Sequence, residues 1–239
     1  MSKNDQMKNN LDDRYTSGEY LTRNPTFHVE RAEFKARLVT GILGRHRIEP
    51  KRICDLGCGA GEVLSLLSRM IPTATELHGY ELSPQGFELC RQRQKEGLSF
   101  FNQDLFATAE KYELGISMDV FEHVEDPFTF LREFRKHAMK FVFHIPLDMN
   151  VQMILRGKPI MNVREKLGHL HYFSKDSALA LLRETGFTIV DHEYTPSSIY
   201  KPSRFSGRLA SIPRMLSKAL LGDFGVRLIG GYSLLVLAE

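Results

Sequence analysis

The chain has 239 residues, 42% hydrophobic and 26% charged, with a formal net charge of +3. This is an ordinary globular composition, long enough to bury a full core in one domain. The charge is too small to demand a polyanionic partner and does not exclude one. No apolar run approaches the roughly 20 residues of a membrane-spanning helix, and three cysteines, Cys54, Cys58 and Cys90, do not make a disulfide framework.

Residues 1–14 are polar and lack the apolar stretch of a signal peptide, and residues 1–13 carry a disordered composition. A reducing, cytosolic compartment is expected. From 28 to 43, Val29, Ala32, Leu38, Val39, Ile42 and Leu43 recur at helical spacing, and Gly44 is the expected stop. Strands and helices then alternate. Residues 52–56 read as a short buried strand, Gly57 to Gly61 as a tight turn, 62–70 as a helix and 76–82 as a second strand. Ser83 and Pro84 open a helix expected to reach Glu96. Residues 98–102 and 114–118 are the third and fourth strands, and Asp126-Pro127 opens a helix with Phe130, Leu131 and Phe134 on its apolar face. Residues 140–145 form a fifth strand. Ser174 caps a helix to about Thr185, closed by Gly186; 187–190 and 232–238 are the last two strands. This alternation indicates an α/β fold with a parallel, doubly wound, Rossmann-like sheet, whose ligands bind at the carboxyl ends of the strands. The expected organisation is an N-terminal tail and lid helix over 1–45, then one domain over 46–239 with a basic helical insertion near 200–230.

The strongest motif is Asp55-Leu56-Gly57-Cys58-Gly59-Ala60-Gly61, between a strand and a helix. Glycines let the backbone turn sharply and approach a ligand, and the helix behind offers free N–H groups. Dinucleotide enzymes use a similar loop, but with G-x-G-x-x-G spacing. Here the spacing is G-x-G-x-G, and Asp55 stands at the end of the first strand, where a carboxylate suits a cationic ligand group. Glu81 ends the second strand, placed to accept hydrogen bonds from ribose hydroxyls. Asp104 follows the third strand, either as an adenine contact or as a turn cap.

These residues resemble the class I S-adenosylmethionine (SAM)-dependent methyltransferases, specifically the small-molecule branch that includes ubiquinone-type O-methyltransferases. The resemblance runs from about Arg52 to Val190. It implies a seven-stranded sheet with an antiparallel last strand, 232–238, and SAM as cofactor. Asp55, Gly57, Gly59 and Gly61 would surround its methionine part, with Cys58 in the same loop. Glu81, with Leu82 beside it, would hold the ribose and Asp104 the adenine. Asp119 completes the set, and Tyr20, with Tyr15 and His28, is expected in an N-terminal lid. In that branch an acid four residues before a histidine and another directly before it are associated with a divalent metal. Asp119, Glu122 and His123 match the spacing, but a turn and helix cap explain them too, and no metal is expected.

Methyl transfer needs alignment of nucleophile, methyl and sulfur, and removal of a proton. His144 at the end of the fifth strand, His123, and the alternating pair His169 and His171 are the catalytic candidates, each set against an ordinary packing role. The run after strand four, Asp119-Val120-Phe121-Glu122, lacks the Asn/Asp-Pro-Pro-aromatic pattern of many amino-group methylases. The expected reaction is O-methylation of a small molecule: a sugar, an isoprenoid-type compound or a phenol. A protein or nucleic-acid methyltransferase, a nicotinamide oxidoreductase and a non-catalytic scaffold are the rivals. Between Tyr200 and Gly230 lie six basic residues and one acid, with Leu209, Ile212, Leu216 and Leu220 at helical spacing, Pro213 a possible opening and Gly222 a possible end. This segment reads as a solvated cover helix, a site for an anionic acceptor, or a weak peripheral contact with an anionic membrane.

Overall fold

The computed structural model describes residues 29–196 and 205–239, with side chains in the second stretch from residue 212 onward. Tyr15, Tyr20, Phe27, His28, Lys201 and Arg204 lie outside the described residues, as do the side chains of Arg208 and Leu209. Seven strands form one mixed sheet in the order β3-β2-β1-β4-β5-β7-β6. The chain divides into two compact units, the described part of Met1–Met118 with Lys136–Phe141, and Asp119–Arg135 with Val142–Glu239.

In the first unit, β1 (Arg52–Leu56) is parallel to both its neighbours, β2 (Glu76–Tyr80) and β4 (Tyr112–Met118), so Ile53 lies opposite Leu77 on one side and Leu114 on the other. A central parallel strand covered on both faces is largely apolar: Ile53, Cys54 and Leu56 are buried, and the charged residues are Arg52 at its start and Asp55 near its carboxyl end. β3 (Leu98–Phe101) pairs with β2. Helix α1 (Ala32–Arg45) turns Ala36, Val39, Ile42 and Leu43 inward and packs on α2 (Glu62–Met70), which buries Leu64 and Leu67. Helix α3 (Pro84–Arg91) is capped by Ser83, whose hydroxyl accepts from the Gly86 N–H, as expected. It ends five residues short of Glu96. Residues 92–97 carry no apolar side chain to bury, and a helix without a packed face is marginal.

In the second unit, β6 (Ile189–Pro196) runs antiparallel to β7 (Tyr232–Ala238), every residue of which is buried. β6 is longer than the expected 187–190. Asp191, His192, Glu193 and Pro196 disguise it, and an edge strand tolerates all four. The distal half of β5 (Ala138–Pro146) supplies Phe143, which meets Phe121, Phe134 and Phe187 edge-on at 5.1 to 6.1 Å. Helix α4 (Pro127–Phe134) is capped by Asp126 and buries Leu131 and Phe134. Two short helices follow β5 where no element was expected from the sequence, α5 (Val151–Arg156) and α6 (Lys158–Leu167). Neither buries a residue, so no core-facing stripe announced them. Helix α7 (Lys175–Glu184) follows a Ser174/Ser177 capping box. Helix α8 (Phe205–Ile229) contains Pro213 inside its first part rather than at its start, and Gly222 (φ 55°) kinks it rather than ending it.

Candidate active site

The glycine loop is built entirely within the first unit. Gly57 and Cys58 donate their N–H groups to the Tyr80 carbonyl at 2.9 and 3.1 Å, tying the loop to the end of β2. Gly57, Gly59 and Gly61 all have positive φ, which side-chain-bearing residues rarely adopt. Gly61 is further constrained, because a Cβ there would lie 2.6 Å from the Phe100 ring and 2.7 Å from Cys90 Cβ. Just after β2, the Glu81 carboxylate is held by two backbone donors, Gly59 N–H on Oε2 and Ser83 N–H on Oε1, both at 2.8 Å. Each oxygen keeps a second acceptor position. Asn102 Nδ2 donates to the Glu81 and Leu82 carbonyls at 2.7 and 3.1 Å and fixes this strand end, while the Leu82 side chain is exposed. Asp104 is also exposed and caps a short 3-10 turn, its Oδ1 accepting from the Phe106 N–H at 2.9 Å.

Asp55 is buried, and desolvation pushes its carboxyl up to about 7. The Lys35 charge pulls it back and the Glu81 charge adds to the rise. Lys35 itself reaches the Met118 carbonyl at the end of β4. Burial also raises Glu81, against the pull of its two amide donors. All three thiols, Cys54, Cys58 and Cys90, are free and buried. A desolvated carboxylate at one strand end and a preorganised one at the next fit a ligand with a cationic group and a vicinal diol.

The second unit holds the candidate histidines His123, His144, His169 and His171. Asp119 has a left-handed backbone (φ 60°), a conformation that costs about 1–3 kcal/mol outside glycine. Its N–H donates to the His144 carbonyl at 2.9 Å, and its carboxylate lies 2.5 Å from His144 Nδ1. His144 Nε2 meets the Thr195 hydroxyl at 2.9 Å, so both ring nitrogens of this buried histidine are engaged. His169 Nδ1 lies 2.6 Å from the Asp148 carboxylate. Its ring sits edge-on to His123 at 4.7 Å, and ligand atoms of Glu122, His123 and His169 come within 4.8 Å of one another. The Glu122 carbonyl accepts from the Leu170 and His171 N–H groups, which seats the loop carrying both histidines. His171 turns elsewhere. It stacks on Phe173 and lines a cavity of about 460 Å³ with Pro127, Phe128 and Leu181.

The family model described as a methyltransferase domain matches residues 27–192, well over half of the chain. The chain belongs to this methyltransferase family, whose cofactor is S-adenosylmethionine. A ubiquinone biosynthesis O-methyltransferase of Cereibacter sphaeroides is 28% identical over 173 residues, 66% of this chain and 68% of that one. A trans-aconitate 2-methyltransferase of Streptomyces coelicolor is 40% identical over 74 residues, 30% of this chain but only 24% of that enzyme's length. Among solved structures, magnesium protoporphyrin IX methyltransferase from Synechocystis PCC 6803 with bound S-adenosylhomocysteine has a TM-score of 0.57 at 14% identity, over 89% of this chain and 83% of that one. The last is a likeness of fold.

Within the methyltransferase framework, Asp55, Gly57, Cys58, Gly59, Gly61 and Glu81 converge on one loop and one neighbouring strand end. Asp104 caps its turn through Oδ1. Asp119 belongs to the His144 network, whereas His169 stands with Glu122 and His123. Sequence reasoning missed Lys35, Asp148 and Thr195. Asp148 had a legible signal, since it lies just past the carboxyl end of β5, where such folds keep functional groups.

Proposed function

We propose that the protein transfers the methyl group of SAM to a hydroxyl of a small molecule. The Glu81 carboxylate, fixed by the Gly59 and Ser83 amides beside the buried Asp55, carries the cofactor part of this reading. Glu81 offers its remaining acceptor positions to the two ribose hydroxyls, and Asp55 accepts the ammonium group of the methionine part. Exposed Leu82 gives an apolar surface next to them. Bound SAM supplies an electrophilic methyl on a sulfonium.

Asp148 and His169 support proton removal from the acceptor. With Nδ1–H donated to Asp148, the imidazole is held as the tautomer whose Nε2 is a base, and the carboxylate stabilises the imidazolium formed. His144 is assigned a positioning role instead. Nδ1–H to Asp119 and Nε2 accepting from Thr195 leave it no free nitrogen. The small-molecule class is supported by the two curated relatives, whose names point to small-molecule metabolism. A second reading has an observation of its own: Glu122, His123 and His169 are close enough to hold a divalent metal beside the acceptor.

The test is methyl transfer from labelled SAM to a panel of phenols, sugar nucleotides and small carboxylic acids, read by mass spectrometry of the product. His169→Gln and Asp148→Asn are expected to lower kcat by about 10²–10⁴ with SAM affinity unchanged. Unchanged kcat in both variants refutes the base. Activity abolished by EDTA and restored by a divalent ion selects the metal reading.

A further inference from the structure

The second unit presents an apolar surface that its own core does not use. In the first part of α8, Ser217 is buried and Lys218 Nζ sits over the Tyr194 and Tyr232 rings at 5.5 and 4.8 Å, so this side of the helix faces the protein. At 100° per residue, Ile212, Met215, Leu216 and Leu220 lie on the opposite arc, and their exposures are 53, 56, 52 and 75%. The amphipathic stripe is therefore inverted, apolar side to solvent. Beyond the Gly222 kink, Gly225 packs so closely on the Ser217 carbonyl that a Cβ would lie 2.1 Å from it. That return segment exposes Phe224, and α8 also packs on α5, where Ile154 and Leu155 are exposed.

The charge around this surface is predominantly positive. Residues 151–167 carry four basic residues and one acid, Glu165, and Arg156, Lys158, Arg164 and Lys166 are all exposed. Residues 205–229 again carry four basic residues and one acid. That acid, Asp223, is tied by Lys175, Arg227 and the Tyr194 hydroxyl. The whole chain is only +3, so the two segments are cationic and the remainder is net negative. A second copy seated on this face would bring like charges together across the contact. No described helix is long and apolar enough to cross a membrane. Such a helix, with a wide apolar arc and flanking cations, lies in the interface of an anionic bilayer.

We propose that the exposed face of α5, α6 and α8 docks the protein on an anionic lipid surface. The leucines and Phe224 enter the headgroup boundary, and the basic residues of α5 and α6 meet lipid charge. The exposed positions are free to change without disturbing the core, which makes the surface separable from the fold.

The experiment is vesicle co-sedimentation of the full chain with 7:3 phosphatidylcholine/phosphatidylglycerol and with phosphatidylcholine alone, in 0.1 and 0.5 M NaCl. Binding is expected on the anionic vesicles, at least about 10-fold weaker in high salt. Leu216→Glu with Leu220→Glu is expected to reduce it about 100-fold with unchanged circular dichroism. Lys158→Glu with Arg164→Glu is expected to abolish the preference for anionic lipid. The chain has no tryptophan, so Leu220→Trp gives a single reporter whose emission moves to shorter wavelength on binding. No sedimentation with anionic vesicles overturns the proposal. So does equal binding by the leucine variant, or a concentration-dependent dimer that this variant dissociates. None of these readouts needs cofactor or acceptor, so failure here leaves the methyl-transfer reading standing.

Discussion

Asp55→Asn is expected to make the protein more stable above neutral pH and unable to hold its cofactor. The native carboxyl is pushed up to about 7 from an ordinary 3.8, chiefly by burial. That difference corresponds to about 4 kcal/mol between the protonation states. The sign follows from linkage: a raised native pKa gives stability that is fully present below the unfolded value and lost as pH rises through the native one. Near pH 4 the native carboxyl is neutral and resembles an amide, so only the partners that the asparagine NH₂ lacks separate the two, and the variant is the less stable by about 2 kcal/mol. Between pH 4 and 7 the unfolded chain ionises and the native one resists, and the difference moves in favour of the variant. Above about pH 8 it is constant. The asparagine NH₂ needs partners of its own, which offsets part of the gain, so a net increase of about 2 kcal/mol is expected at pH 8.5. For a chain of this size that is roughly 4–8 °C in Tm.

The assay is urea and thermal unfolding by circular dichroism at pH 4.5, 6 and 8.5, paired with calorimetric titration of S-adenosylhomocysteine. The expected result is a stability difference that moves in the variant's favour as pH rises and a loss of affinity of at least about 100-fold, since a charge-assisted contact to the ammonium group disappears. A variant less stable than wild type by the same amount at all three pH values refutes the reasoning. It would mean that the carboxylate is stabilised within the fold rather than strained by it.

Cofactor affinity should itself rise with pH. A cationic ligand binds the ionised Asp55, so below about 7 each unit of acid should weaken S-adenosylhomocysteine binding by up to about tenfold, read by calorimetry between pH 5.5 and 8. Gly61→Ala should destabilise by roughly 3 kcal/mol, because positive φ and contacts under 3 Å with Phe100 and Cys90 act together; a Tm within 2 °C of wild type would contradict this. Thr195→Val leaves a buried His144 nitrogen without its hydroxyl and should cost about 1–3 kcal/mol in urea unfolding. Adding His144→Ala should cost less than the sum of the two single changes, as expected of residues in one network.

The proposed cofactor half was legible because its signals are local. Glycine spacing, an acid at the end of one strand and another at the end of the next can be read within thirty residues, and Glu81 meets Gly59 only 22 positions away. The proposed acceptor half was legible only as a set of histidines. His144 pairs with Thr195 across 51 residues and His169 with Asp148 across 21, and no periodicity announces either partner. Asp119 illustrates the same limit. Its spacing to Glu122 and His123 suggested one cluster, but a left-handed backbone turns its carboxylate to His144, and His169 takes the third place. β6 and α8 were misjudged for a related reason. Both sit where burial is one-sided or reversed, so polarity along the chain no longer reports which side faces the core.

The two acidic strand ends show how this fold divides stability from function. Asp119 adopts a strained backbone, yet its carboxylate and N–H are both bound by His144, so the surrounding structure offsets the strain locally. Asp55 has ordinary backbone geometry but a desolvated charge helped mainly by Lys35. A compensated residue should tolerate few substitutions without loss of stability, whereas an uncompensated one should gain stability from neutral replacement. On this reasoning Asp119→Asn destabilises near neutral pH while Asp55→Asn stabilises above neutrality. Opposite signs at two carboxylates of the same sheet would separate a group that holds the structure from a group held ready for a ligand.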